Sequence, residues 1–401
     1  MKILVINAGS SSLKGKLYDM QTQQALAEAN CQRVGLNESI IKYVGLSGKK
    51  EIFHRSLPTH KEALEEILQL FTTGKTQAIG SIKEIAAIGH RLAMGGAKYV
   101  KSVLIDKEVV STLYELGDVA PLHNPVQART IEICWQVFGS DLPMVAVFDT
   151  AFHQTMPQSN YMFSLPYEYY KKYNLRRYCF HGMSHQYVSE AYAQHTGKDI
   201  SQLNLITCHM GGGSSITAIK GGKSINNSFG FGIGEGPMGG TRAGTVDYTA
   251  LSYIMKKENL SFDEVEDVLA RESGMLGVSG ISSDEYELEK LALEGNERAK
   301  LTLDIFAVQI KRYIGSYFFE MGSLDALIFT GGIGENSDYM RRLICENLEE
   351  VGISLDQEAN VAFNRQVGRI SSPDAKVDIW VIPTNEEWVI ANDTFKTVKS
   401  I

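Results

Sequence analysis

Cysteine is scarce in this chain. There are five among 401 residues, Cys31, Cys134, Cys179, Cys208 and Cys345, an odd number without a C-x-x-C spacing. That argues against a disulfide framework or a structural zinc site and fits a reducing, cytoplasmic setting. Long apolar runs are missing as well. The opening Met1-Lys2-Ile3-Leu4-Val5-Ile6-Asn7 is too short for a signal peptide, and no stretch reaches the roughly 18 uninterrupted apolar residues of a membrane span. A surplus of positive charge is absent too. The formal charge of −8 argues against a general nucleic-acid binder, though one basic site for phosphate remains compatible with it. No low-complexity segment or linker interrupts the chain, and no G-x-x-x-x-G-K-[ST] string is present, which sets aside P-loop chemistry.

What is present reads as a globular enzyme. Hydrophobic residues make up 44% and charged residues 21%, and 401 residues are more than one ordinary core accommodates, so two domains are expected. A strand candidate from Ile3 to Ile6 runs into the turn Asn7-Ala8-Gly9-Ser10-Ser11-Ser12, and a second follows from Leu13 to Tyr18. The pattern returns in the second half. Leu205 to Cys208 leads into His209-Met210-Gly211-Gly212-Gly213-Ser214-Ser215 and then Ile216 to Ile219. A strand, a Gly/Ser loop and a strand, twice, is a pseudo-repeat at domain scale. A third glycine loop follows Ala326 to Thr330, in Gly331-Gly332-Ile333-Gly334-Glu335-Asn336. Helical periodicity covers 60–73 and 126–138, and 287–322 carries a long 3.6-period signal with Glu and Lys on its outer face. Strand pairs alternating with helices predict an α/β architecture, with a domain boundary near residue 150.

Glycine-rich turns after strands suit phosphate, because glycine accepts φ > 0 and lets successive N–H groups converge on one anion. The hydroxyls of Ser10, Ser11 and Ser12 add donors, and Lys14 adds a positive charge. A tight structural hairpin is the competing reading of any one such loop. Gly234-Glu235-Gly236-Pro237-Met238-Gly239 matches G-x-G-x-x-G only formally, since no convincing strand precedes it. His181 and His185, four apart, could be metal ligands on a helix face, but no third ligand stands at useful spacing. Arg91 and Arg242 lie among glycines, which predicts loops presenting a guanidinium to a phosphoryl or carboxylate group. Asp149 ends the apolar run Met144 to Phe148, where open α/β sheets place their sites; a helix N-cap is the alternative.

These strings resemble one family. Asn7-Ala8-Gly9-Ser10-Ser11-Ser12-Leu13-Lys14 and Arg177-Tyr178-Cys179-Phe180-His181-Gly182-Met183-Ser184-His185 are similar to the two signatures of the acetate kinase family. Ala120-Pro121-Leu122-His123-Asn124-Pro125, Gly332-Ile333-Gly334-Glu335-Asn336-Ser337 and Pro383-Thr384-Asn385-Glu386-Glu387 continue the resemblance in order, end to end. It implies two duplicated actin/Hsp70/sugar-kinase-like (ribonuclease H-like) domains around a nucleotide cleft: 1–150 and 151–386, with a tail, 387–401, packing back on the first. It also implies reversible phosphoryl transfer between ATP and acetate, yielding ADP and acetyl phosphate, with Mg²⁺ or Mn²⁺, in a cytoplasmic homodimer with neither nucleic-acid nor membrane partners.

Carried over by position, the resemblance makes Asp149, Arg91, Arg242 and His181 catalytic. Asn7 and Glu386 join Asp149 around the metal, and Ser10, Ser12 and Lys14 flank the phosphates. Arg91 and Arg242 hold the carboxylate and the migrating phosphoryl group, to which His181 donates a hydrogen bond. Ala93, Leu122, Phe180 and Ile233 match the apolar pocket for the substrate methyl. His209, Met210, Gly211, Gly212, Gly213, Asp284, Glu285, Tyr286, Gly332, Ile333, Gly334, Glu335 and Asn336 match nucleotide positions. A carboxylate with a pKa of about 4 is already ionised at neutral pH and needs no general base, so positioning and charge neutralisation are what the site must supply. Gly212, Tyr286, Ala93, Ile233 and Thr245 depart from the commonest family residues. The departures leave open a propionate- or butyrate-preferring enzyme and a donor other than ATP. A non-catalytic ATPase of the same fold is the reading from another class.

Overall fold

The computed structural model describes residues 1–74, 76–364 and 366–400. It divides the chain into two compact units, Met1–Ala151 with Asn385–Ile401, and Phe152–Thr384.

The first unit is built on strands β1 (Lys2–Gly9), β2 (Ser12–Asp19), β3 (Gln24–Gln32), β4 (Ser39–Val44), β5 (Lys50–Arg55), β6 (Ile85–Leu92), β7 (Val103–Leu104) and β8 (Met144–Phe148). They form one mixed sheet in the order β5-β4-β3-β2-β1-β6-β8-β7. β1 and β2 are a hairpin in which Gly9 faces Ser12 and Asn7 faces Lys14, so Ser10-Ser11 is a two-residue turn. β6 and β8 add parallel to β1 and to each other, and all five residues of β8 are buried, as central parallel strands require. The helix His60–Thr72 starts at a capping box, Thr59 with Glu62, and buries Ala63, Leu64, Ile67, Leu68 and Phe71 along one stripe. Each large apolar side chain taken from water there stabilises the unit by about 1.5–3 kcal/mol. The terminal helix Glu386–Lys399 belongs to this unit. Ser102 donates to its Asp393 at 2.7 Å, Tyr18 packs on Trp388 with ring centroids 5.8 Å apart, and Gly89 leaves room for Thr394 and Ile390.

The second unit carries β9 (Asn204–Met210), β10 (Ser214–Lys220), β11 (Lys223–Asn227), β12 (Ala326–Thr330), β13 (Gly368–Arg369) and β14 (Asp378–Val381), in the order β11-β10-β9-β12-β14-β13. β9, β10 and β11 are an antiparallel meander, and β12 and β14 extend it in parallel. β3-β2-β1-β6-β8 in the first sheet and β11-β10-β9-β12-β14 in the second are one topology, used twice. The pseudo-repeat of the sequence is its first hairpin.

Three sequence expectations need correction. The periodic stretch 287–322 is two helices, Glu285–Leu293 and Glu297–Met321. Gly295 takes φ 95° between them and Asn296 caps the second by accepting from Ala299 N at 3.0 Å, so local turn chemistry overrides the continuing period. The third glycine loop is a short helix, Gly331–Asn336, entered directly from β12. Arg91 is not on a loop: it lies within β6, one residue before its end.

Candidate active site

In the first unit, polar side chains gather where β1, β2, β6 and β8 meet the terminal helix. The register of the hairpin sets Asn7 and Lys14 opposite each other on one face. Asn385, which caps the terminal helix by accepting from Trp388 N, also lies 3.3 Å from the Tyr18 hydroxyl, and so places Glu386 at the start of that helix. Arg91 reaches Asp149, Nη2 to Oδ2, at 3.1 Å, and Asp149 is only 1% exposed.

Charge explains the cluster. Burial works against the Arg91 guanidinium, but Asp149 and then Glu386 outweigh it and hold its pKa above the ordinary value. Burial first, and next the negative charge of Asp149, push the Glu386 carboxyl up to about 7, against Arg91 and Lys14, which favour its charge. Two carboxylates are thus crowded beside one arginine, an arrangement that a hard cation relieves. Among the described residues no group of three or more His, Cys, Asp or Glu side chains could hold a metal alone.

The backbone beyond Arg91 is held by residues the motif reading left without a role. Gln127 accepts from Ala93 N at 2.9 Å, and the fully buried Asn124 accepts from Met94 N and donates to Met94 O. His123 beside them has its pKa lowered by burial and then by Arg91. Ala93 is buried, whereas Leu122 is 68% exposed. Ser10 and Lys14 are exposed and Ser12 partly so.

In the second unit, three glycine-rich segments converge at the ends of β9 and β12. Thr330 pairs with His209, so Gly211-Gly212-Gly213 and Gly331–Asn336 leave adjacent parallel strands at the same end. Gly240 N donates to Gly212 O at 3.2 Å, which docks the Arg242 loop on the first of them. That loop is clamped by Met275 N to Gly239 O at 3.0 Å, Leu276 N to Gly240 O at 2.9 Å and Ser273 N to Thr241 O at 3.0 Å. Gly274, at φ 62°, is required there: a Cβ would strike Gly239 O and lie 2.7 Å from Arg242 O. The Arg242 guanidinium lies over Gly213, close enough that a side chain at 213 would collide with it, and His181 Cε1 lies against the same position at 3.7 Å. Burial lowers the Arg242 pKa, and among the described residues no carboxylate compensates its charge.

His181 stands at the start of the helix Gly182–Thr196 at φ 59°, with Cys179 also left-handed at φ 63°. Two such residues around Phe180 store strain of about 1–2 kcal/mol each. The segment is held by Tyr178 N and Cys179 N, both donating to Gly230 O, and by His153 Nε2, 3.0 Å from Phe180 O. His181 stacks near His209, centroids 4.2 Å apart, and lies edge-on to Phe229 at 5.2 Å. The Arg177–Glu235 ion pair, 3.2 Å, fastens the segment bearing the exposed Ile233.

The remaining nucleotide candidates divide. Asp284 caps the helix Glu285–Leu293, accepting from Tyr286 N at 3.0 Å, and Tyr286 is 75% exposed. Glu285 turns inward instead. Ser337 Oγ lies 3.0 Å from its Oε1 and 2.6 Å from Oε2 of Glu289. Glu335 is likewise engaged, accepting from Gly331 N at 2.9 Å and Thr384 N at 3.2 Å, while Asn336 donates to Gly332 O.

Burial and then the Glu289 carboxylate push Glu285 up to about 8 from an ordinary 4.5. Between those values the folded chain holds more protons than the unfolded chain, so this stabilisation is complete below pH 4.5 and is lost as pH rises through about 8. Glu285→Gln is therefore expected to raise stability by about 1–2 kcal/mol at pH 8.5 and by almost nothing at pH 5, read by denaturant titration at both. An unchanged pH slope would refute the raised Glu285 pKa.

The repeated strand order defines the class first: an α/β enzyme of the actin-like fold, each unit carrying a glycine- or serine-rich hairpin at its first strand. Comparison with known proteins then makes the assignment specific. The family model described as the acetokinase family matches residues 2–392, and the chain belongs to that family, phosphotransferases with a carboxyl group as acceptor. It is 46% identical over 398 residues to the acetate kinase of Dictyoglomus turgidum, covering 99% of this chain and 98% of that one. The acetate kinase structure of Porphyromonas gingivalis superposes with a TM-score of 0.94 at 41% identity, covering 99% of both chains. The propionate kinase structure of Francisella tularensis does so at 0.90 and 36%, covering 98% of this chain and 99% of that one.

Proposed function

We propose that this chain transfers the terminal phosphoryl group of ATP reversibly to an oxygen of acetate, forming acetyl phosphate and ADP. The observation that carries the reading is the Arg242 guanidinium, seated against Gly213 beside His181 without a compensating carboxylate among the described residues. A fixed, partly desolvated cation next to a hydrogen-bonding imidazole suits the charge that spreads over a migrating phosphoryl group.

The acetate carboxylate attacks phosphorus, and the bond from phosphorus to the bridging oxygen of ADP breaks, its electron pair leaving with ADP. No proton moves, so no side chain acts as general base. Arg91, whose positive charge Asp149 and Glu386 sustain, orients the acceptor carboxylate. Arg242 and His181 donate to the phosphoryl oxygens. The backbone of Gly211-Gly212-Gly213 and Gly331–Asn336 would support the nucleotide phosphates, and the family resemblance assigns Asp284 and Tyr286 to its base. Asp149, Glu386 and the amide oxygen of Asn7 would hold Mg²⁺ or Mn²⁺ through hard oxygen donors, and the ion would neutralise phosphate charge. The family resemblance supports a homodimer, and the five buried, free cysteines suit a cytoplasmic setting.

A hydroxamate assay with ATP and Mg²⁺ tests the acceptor. Acetate is expected to give the highest kcat/KM, above propionate and butyrate. Because one methylene in an apolar pocket is worth about 1–3 kcal/mol, the margin over propionate is roughly 10–200-fold at most. A higher kcat/KM for propionate would transfer the reading to the longer acid and leave the phosphoryl chemistry standing.

A further inference from the structure

Behind His181 lies a continuous line of buried groups. Its Nδ1 is 3.0 Å from Ser215 Oγ; the same oxygen is 2.8 Å from His185 Nε2; and His185 Nδ1 is 2.6 Å from Thr207 Oγ1. Ser215, His185 and Thr207 are fully buried. Each has a fixed place: Thr207 and Ser215 on the paired strands β9 and β10, and His185 one turn after His181 on the same helix, with its N–H donating to His181 O at 3.0 Å.

We propose that Ser215, His185 and Thr207 are positioning residues that hold His181 with its proton on Nε2, the nitrogen from which it donates to the phosphoryl group. The inference rests on the role given to His181 above. Ser215 Oγ has one proton and touches two ring nitrogens, so it donates to one and accepts from the other. His185 is buried, which keeps it neutral with one N–H, an effect reinforced by the neighbouring His153 and His209. The line therefore has two consistent polarities when His181 is neutral. In one, Thr207 O–H donates to His185 Nδ1, His185 Nε2–H to Ser215 Oγ, and Ser215 O–H to His181 Nδ1. The proton of His181 then resides on Nε2. The reverse polarity puts it on Nδ1, leaving Nε2 an acceptor that phosphoryl oxygens, acceptors themselves, repel. Bound phosphoryl oxygens thus select the first polarity, and the strained φ of His181 keeps the ring where this line can reach it.

The test combines kinetics with ¹⁵N spectra of the imidazoles of ¹⁵N-histidine-labelled full-length protein, with Mg²⁺ and β,γ-imido-ATP. The wild-type protein is expected to show His181 with its proton on Nε2. Ser215→Ala and Thr207→Val are expected to populate the Nδ1–H form and to lower kcat about tenfold, the equivalent of one hydrogen bond, with KM values changed less than about threefold. Thr207→Ser, which keeps the hydroxyl, is expected to recover kcat relative to Thr207→Val. If Ser215→Ala fails to fold, the two Thr207 variants decide alone. Unchanged tautomer and kcat in Thr207→Val, with His181→Ala impaired, would overturn the positioning role and leave His181 in place. His181→Ala with kcat within about twofold of wild type would overturn the role of His181 itself.

Discussion

Arg242→Leu is expected to lower kcat by about a thousandfold while the KM for ATP changes less than about threefold, because the role proposed for the guanidinium is to act on charge that develops in the transition state. Leucine keeps part of the apolar stem and removes every donor. The loop itself is held by backbone hydrogen bonds from Ser273, Met275 and Leu276, none of which uses the Arg242 side chain. The substitution should therefore leave the fold intact, and loss of turnover can be assigned to lost donors. Steady-state kinetics in both directions, with circular dichroism as a control for folding, make the measurement. Turnover within about tenfold of wild type would place Arg242 outside the transition state.

Asp149→Asn is expected to lower kcat by at least about a thousandfold and also to raise the Mg²⁺ concentration for half-maximal activity. Asparagine is nearly isosteric, so packing at this 1% exposed position is preserved and charge alone is removed. Two consequences follow from the geometry. Arg91 loses the partner at 3.1 Å that does most to sustain its charge, at a cost of about 1–3 kcal/mol in stability. Glu386 loses the negative neighbour that raises its pKa, so that pKa falls toward the ordinary carboxylate range. A variant with wild-type Mg²⁺ dependence would remove Asp149 from the proposed metal site while leaving its pairing with Arg91 untouched.

The elements differ in how openly the sequence displays them. The β1–β2 and β9–β10 hairpins are legible because a Gly/Ser turn between short apolar runs has few other local solutions. Helix His60–Thr72 is legible from its stripe and its cap. The break at Gly295 was hidden, since the apolar period continues across it and only the Gly-Asn pair marks the turn. The glycines around Arg91 suggest a loop, but Gly89 is the small residue that admits Ile390 and Thr394 of the terminal helix against β6. Glu285 looked like a nucleotide contact from its place in Asp284-Glu285-Tyr286, yet its carboxyl turns to Ser337 and Glu289, residues far off in sequence or one turn away. Thr207 and Gln127 carried no chemical signal, and Ser215 only its place in the Gly/Ser run, because hydroxyls and amides within strands and helices are common everywhere.

Sequence alone determined the α/β class, the duplicated hairpin and, through five ordered motifs, the family, since turn chemistry and motif order are local properties of the chain. Which strand neighbours which, how Asn385 sets Glu386 beside Arg91 and Asp149, and that His181, His185, Ser215 and Thr207 form one hydrogen-bonded line were decided by tertiary structure. Those facts depend on pairings between residues tens to hundreds of positions apart, where burial makes polar groups find partners that no local pattern names.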